Sequence, residues 1–60
     1  MGVEGEVLFE FRRIGNSVKA TAFHTATLVE VSIVGPVNAG EAHLKLMALR
    51  RLEYVLAKKA

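Results

Sequence analysis

Apolar positions along the chain recur with one period up to about residue 36 and another beyond it. From Val7 to Arg13 they alternate: Val7, Phe9 and Phe11 point one way, and Leu8, Glu10 and Arg12 the other. A period of two predicts a half-buried strand. Gly15-Asn16 follows, a pair that tolerates positive φ, and the alternation resumes from Ser17. If these two residues form the loop of a hairpin, Ile14 pairs with Ser17, and the register sets Phe11 against Ala20, Phe9 against Ala22 and Val7 against His24. Large side chains then meet small ones on one face, which leaves room for a helix above it. The other face pairs Arg12 with Lys19, Glu10 with Thr21 and Leu8 with Phe23.

A second turn is predicted over about Thr25 to Leu28, then a third strand over Val29 to Val34. Val29, Val31 and Ile33 lie on one side of it and Glu30 and Ser32 on the other. Gly35-Pro36 is expected to end that strand, because proline cannot donate to the ladder. Three strands joined by short turns make an antiparallel meander.

The period then becomes helical. Asn38 and Glu41 have the spacing of a capping box, with Val37 and Ala42 as a weak hydrophobic staple around it. The helix is expected from about Ala39 to Lys58, with Lys58 and Lys59 favourable at its negative end. At about 100° per residue, Leu44, Ala48, Leu49, Leu52, Val55 and Leu56 fall within an arc of roughly 140°. That stripe matches the apolar face of the three strands. The fold class predicted is α+β, a three-stranded antiparallel meander with one C-terminal helix on one sheet face (βββα), in a single domain over residues 1–60 with residues 1–5 disordered.

Length and composition change this picture in one respect. A 60-residue chain buries only about 60% of its unfolded surface and is marginal alone. Domains of this size usually add disulfides, a metal or oligomerisation. The chain contains no cysteine, so it has neither disulfides nor thiol chemistry. Leu46, Met47 and Tyr54 fall off the core arc of the helix, and Leu8 and Phe23 fall on the back of the sheet, with Val34 and Leu28 near them. Contiguous apolar surface on so small a domain marks a contact surface. A homodimer is therefore expected, with Leu8, Phe23, Leu46, Met47 and Tyr54 as interface candidates. Docking and strand exchange are both compatible with the pattern.

The formal charge is +2, with 52% apolar and 23% charged residues, a globular composition. No apolar run approaches the roughly 18 residues of a membrane span. The acidic N-terminus lacks the basic flank of a signal peptide, so a soluble, cytoplasmic chain without membrane association is expected. Charge is uneven: residues 1–40 carry a net −1 and residues 41–60 a net +3. Arg12, Arg13 and Lys19 cluster around the first hairpin, and Arg50 and Arg51 add positive charge on the helix. These five are candidate anion or nucleic-acid contacts, since basic patches bind phosphate backbones. A solvated charged face explains them as well, and a nucleic-acid-binding regulator is the less favoured alternative.

Catalytic chemistry has little to build on. A nucleophile–base–orienter set needs Ser or Cys, His and a carboxylate. The serines are Ser17, in a turn, and Ser32, in a strand; His24 and His43 are the imidazoles. Glu41 and His43 are two residues apart, so on a helix their side chains diverge by about 200° and do not share a metal. The segment Gly35 to Gly40 leads into a helix but matches no phosphate-binding fingerprint. No catalytic, cofactor-binding or metal-ligating residue is assigned; no enzyme activity and no cofactor are expected.

Three stretches, Phe9-Glu10-Phe11-Arg12-Arg13-Ile14-Gly15-Asn16, Glu30-Val31-Ser32-Ile33-Val34-Gly35-Pro36 and Leu52-Glu53-Tyr54-Val55-Leu56, taken together resemble a family of small alphaproteobacterial proteins classed as a domain of unknown function. The resemblance covers about residues 7–58. It implies a cytoplasmic bacterial protein and supplies no catalytic residues. It also implies an Asp-Pro-x-Thr-Gly-like turn between the second and third strands. Here that segment reads His24-Thr25-Ala26-Thr27-Leu28, so a different turn is expected.

Overall fold

A computed structural model describes residues 5–59. Strands β1 (Val7–Ile14), β2 (Ser17–His24) and β3 (Val29–Pro36) are followed by a short 3₁₀ turn over Val37–Ala39 and by helix α1 (Glu41–Lys59). The sheet is antiparallel with order β1-β2-β3. This is the βββα meander expected from the alternating and then helical periods. The expectation of disorder over residues 1–5 lies, for 1–4, outside the described residues; Gly5 sits in a bend at φ 93°.

The first hairpin has the predicted register throughout, from Ile14 opposite Ser17 to Val7 opposite His24. Its loop uses positive φ only at Gly15, at 62°, with Asn16 on the ordinary side. That sign pattern belongs to a type II′ turn, whose twist matches that of the flanking strands and which takes glycine at its first central position. The second turn is closed by the Leu28 N–H donating to the His24 carbonyl at 2.8 Å. Leu28 closes it in the left-handed region, at φ 62°. Strand β3 runs two residues further than expected, through Pro36. Proline is accommodated at the end of this edge strand, where its missing N–H removes no ladder bond.

Helix α1 begins two residues later than its expected start. Gly40, at φ 88°, separates it from the 3₁₀ turn, and the first helical bond runs from the Leu44 N–H to the Gly40 carbonyl at 3.1 Å. Gly40 therefore occupies the N-cap position. Asn38, two residues upstream inside the 3₁₀ turn, cannot make the capping box with Glu41, and Val37 is not placed to form the staple. Glu41 still lies in the first turn, where its charge complements the helix dipole.

The core lies between one sheet face and α1. Ala20 and Ala22 on β2 and Leu44, Ala48 and Leu52 on α1 are buried, with Val7, Phe9, Phe11, Val18, Val29, Val31, Ile33 and Leu56 packed around them. Alanines on the central strand let the helix approach closely. A 19-residue helix is about 28 Å long, and an 8-residue strand about 27 Å, so one helix spans the whole sheet. The helix sits over β2 and β3 and barely reaches β1. Phe9 and Phe11 on β1 are consequently only half buried. On the opposite face Thr21 is buried among its strand neighbours, and its hydroxyl pairs with that of Ser32 at 3.1 Å.

Candidate interaction surfaces

Two sides of the domain carry apolar side chains that the core does not absorb. The first is the outward side of α1. Leu46, Met47 and Tyr54 are 47%, 47% and 58% exposed. They lie off the Leu44–Ala48–Leu52 stripe because 3.6-residue periodicity turns them away from the sheet. The Lys58 ammonium stands 5.4 Å from the centre of the Tyr54 ring, a cation–π contact one turn along the helix.

The second is the outer face of the sheet together with the open edge of β1. Strand alternation puts Leu8, Glu10, Arg12 and Ile14 on that face, beside Lys19, Thr21 and Phe23 of β2 and Glu30, Ser32 and Val34 of β3. Leu8, Ile14 and Val34 are about half exposed or more, and Phe23 is partly covered. On the helix side of the same strand, Phe9 is capped by Lys45, whose ammonium lies 5.0 Å from the ring centre. The two interface groups expected from sequence thus fall on opposite sides of the domain, and one contact cannot cover both.

The five basic candidates are distributed over several surfaces. Arg12 and Lys19 are cross-strand neighbours on the outer face of the sheet. Arg13 points to the helix side, where its Nε donates to the Gly15 carbonyl at 3.0 Å. Arg50 and Arg51 are exposed on the helix, about 100° apart around its axis. The sheet brings Arg12 and Lys19 together and sets the other three apart from them. An open cleft of about 300 Å³ lies where the first hairpin meets the start of α1, lined by Phe11, Arg13, Val18, Val37, Glu41 and Leu44. Its lining holds one cation, Arg13, and one carboxylate, Glu41, so the walls carry no net excess of either charge.

His24 closes β2 and is 4% exposed. Its Nδ1 pairs with the Thr27 hydroxyl at 2.8 Å, so the imidazole ties the second turn to the strand end. His43 is exposed on the helix. The alternation pattern assigned His24 to the core face; its bond to Thr27 had no signal beyond the two residues' proximity in sequence. Among the described residues, no group of three or more His, Cys, Asp or Glu comes together as a metal site would require. No described helix is long and apolar enough to cross a membrane.

A single-layer antiparallel sheet under one helix defines the class: a small α+β domain of βββα order, with apolar side chains exposed on both outer sides. The chain belongs to the domain-of-unknown-function family DUF6898, whose model matches residues 4–59. No curated protein and no solved structure matches it.

Proposed function

We propose that this domain is a homodimeric interaction module: it pairs with a second copy of itself and presents remaining apolar surface to another protein. The observation that supports this reading is the placement of uncovered apolar side chains on two opposed sides. Leu46, Met47 and Tyr54 crown the helix, while Leu8, Ile14 and Val34 lie on the outer face of the sheet. A domain this small has little stability to spare, and a second copy adds burial that neither a disulfide nor a larger core provides here. One of the two surfaces serves the second copy and the other is left for a heterologous protein.

Solution mass across a dilution series, by sedimentation or light scattering, tests this reading. A mass of two chains that falls towards one on dilution is the expected result. A mass of one chain up to about 100 μM, where any micromolar dissociation constant would show, overturns it.

A further inference from the structure

The two edges of the sheet differ in readiness to accept another strand. On β3 the last residue, Pro36, has no N–H to offer, and Glu30 places a charge without a counter-charge on that strand. On β1 every residue from Val7 to Ile14 has an N–H. The Thr25 N–H donates to the Glu6 carbonyl, and Ile14 pairs with Ser17 across a two-residue loop. Even-numbered residues of β1 therefore bond to β2, and Val7, Phe9, Phe11 and Arg13 aim their N–H and C=O groups at the open edge. The helix lies over β2 and β3, so nothing on its side blocks a strand added beside β1.

We infer that the second copy adds through β1, antiparallel to its own β1, in the register centred on Phe11. This rests on the homodimer reading above and deepens it. A two-fold axis normal to the sheet makes side chains meet partners on the same face, which restricts the choices to a few registers. Centred on Glu10, the pairing sets two carboxylates against each other. Centred on Arg12, it opposes two guanidinium groups. Centred on Phe9, it pairs Arg12 with the partner's Glu6 but puts Leu8 against the partner's Glu10, so an apolar side chain faces a carboxylate at two symmetric contacts, and it leaves Ile14 and Arg13 unpaired by any side chain of β1.

Centred on Phe11, the positions on the outer face of the sheet are complementary. Glu10 meets the partner's Arg12, and symmetry makes that contact twice. Leu8 and the partner's Ile14, 49% and 56% exposed in one chain, cover each other. Phe9, its ring capped by Lys45, meets the partner's Arg13, and Phe11 meets the partner's Phe11; both aromatics are only half-buried in one chain. Opposite charges and apolar pairs across strands stabilise, and like charges destabilise. The result is a continuous six-stranded sheet with both helices on one face, leaving Leu46, Met47 and Tyr54 on the outside of the dimer.

Charge reversal tests the register. Sedimentation gives the dimer dissociation constants of the natural chain, Glu10→Arg, Arg12→Glu, the double variant carrying both, and an equimolar mixture of the two single variants. Circular dichroism and thermal melts confirm that each is folded. In the inferred register each single reversal opposes like charges at two symmetric contacts, and about tenfold weaker dimerisation is expected from each. The double variant and the mixture restore the opposite-charge pairs and recover the natural affinity. Leu46→Ala leaves dimerisation unchanged. A dimer insensitive to either reversal, or one broken by Leu46→Ala instead, overturns the register and leaves the homodimer reading standing. A natural chain that is a monomer at every concentration overturns both.

Discussion

The backbone of Gly35 on β3 lies directly under the side chain of Leu44 on α1: a Cβ built at Gly35 would stand 2.6 Å from Leu44 Cδ2. The position requires glycine for closeness of approach rather than for backbone freedom, since its φ is not in the left-handed region. Leu44 is 2% exposed, so its methyl has little space to retreat into. Gly35→Ala is expected to cost about 1 kcal/mol, the low end of overpacking because the atom met is a rotatable methyl. Urea unfolding measures it. A variant as stable as the natural chain would mean that α1 shifts freely over β3.

Leu52 and Phe9 were equivalent in the sequence pattern, both at core positions, and the structure separates them. Leu52, on the sheet-facing side of α1, is fully buried, whereas Phe9 lies on the strand that the helix barely covers and is topped by the Lys45 side chain. Leu52→Ala is expected to cost about 3 kcal/mol, as a buried leucine truncation does, a large share of the stability of so small a domain. Phe9→Ala is expected to cost less, about 1–2 kcal/mol at concentrations where the chain is monomeric, because only part of its surface leaves water on folding. Denaturant midpoints of both variants at one low concentration make the comparison. Equal losses would put α1 over β1 as fully as over β2.

Leu28 is the one described non-glycine residue with positive φ, and it is 73% exposed. Its side chain gains little from burial while its backbone is held where a Cβ crowds the carbonyl. Leu28→Gly is therefore expected to raise stability by about 0.5–1 kcal/mol, relief of strain exceeding the added entropy of the unfolded chain. A rise in melting temperature of a few degrees would register it. A fall would show that the leucine side chain contributes packing to the turn.

These cases mark where the sequence was legible. The whole register of the first hairpin followed from Gly15-Asn16 and strict alternation, because a two-residue loop leaves one way to pair the flanking strands. The core stripe of α1 followed from period for Leu44, Ala48, Leu52 and Leu56, while Leu49 and Val55, on the same predicted arc, stay half-buried outside the core cluster. The helix start did not: Asn38 and Glu41 match a capping box, but Gly40 takes φ 88° and opens the helix one residue before Glu41. A local motif lost to a backbone conformation open to the glycine between its ends. The basic cluster around the first hairpin was legible as a neighbourhood but not as a surface, since Arg12 and Arg13 are adjacent and alternation sends them to opposite faces. The offset of α1 towards β3 had no sequence signal; it follows from Gly35 and the two alanines of β2, which permit close approach on that side only.

The second turn owes its form to Thr27. Its hydroxyl pairs with Nδ1 of the buried His24 at 2.8 Å and also receives the Val29 N–H at 3.4 Å, a long contact. Thr27 itself is exposed, so its methyl contributes little packing. Thr27→Val keeps the shape and removes the hydroxyl, depriving a buried imidazole nitrogen of this partner. The expected cost is about 1–2 kcal/mol, the penalty of weakening satisfaction at a buried polar group rather than the smaller net value of an exposed bond. Thr27→Ser keeps the hydroxyl and is expected to stay within about 0.5 kcal/mol of the natural chain. Urea unfolding of the pair separates the bond from the side chain's shape. Equal stabilities for the two variants would remove the hydroxyl from the account of why this turn closes as it does.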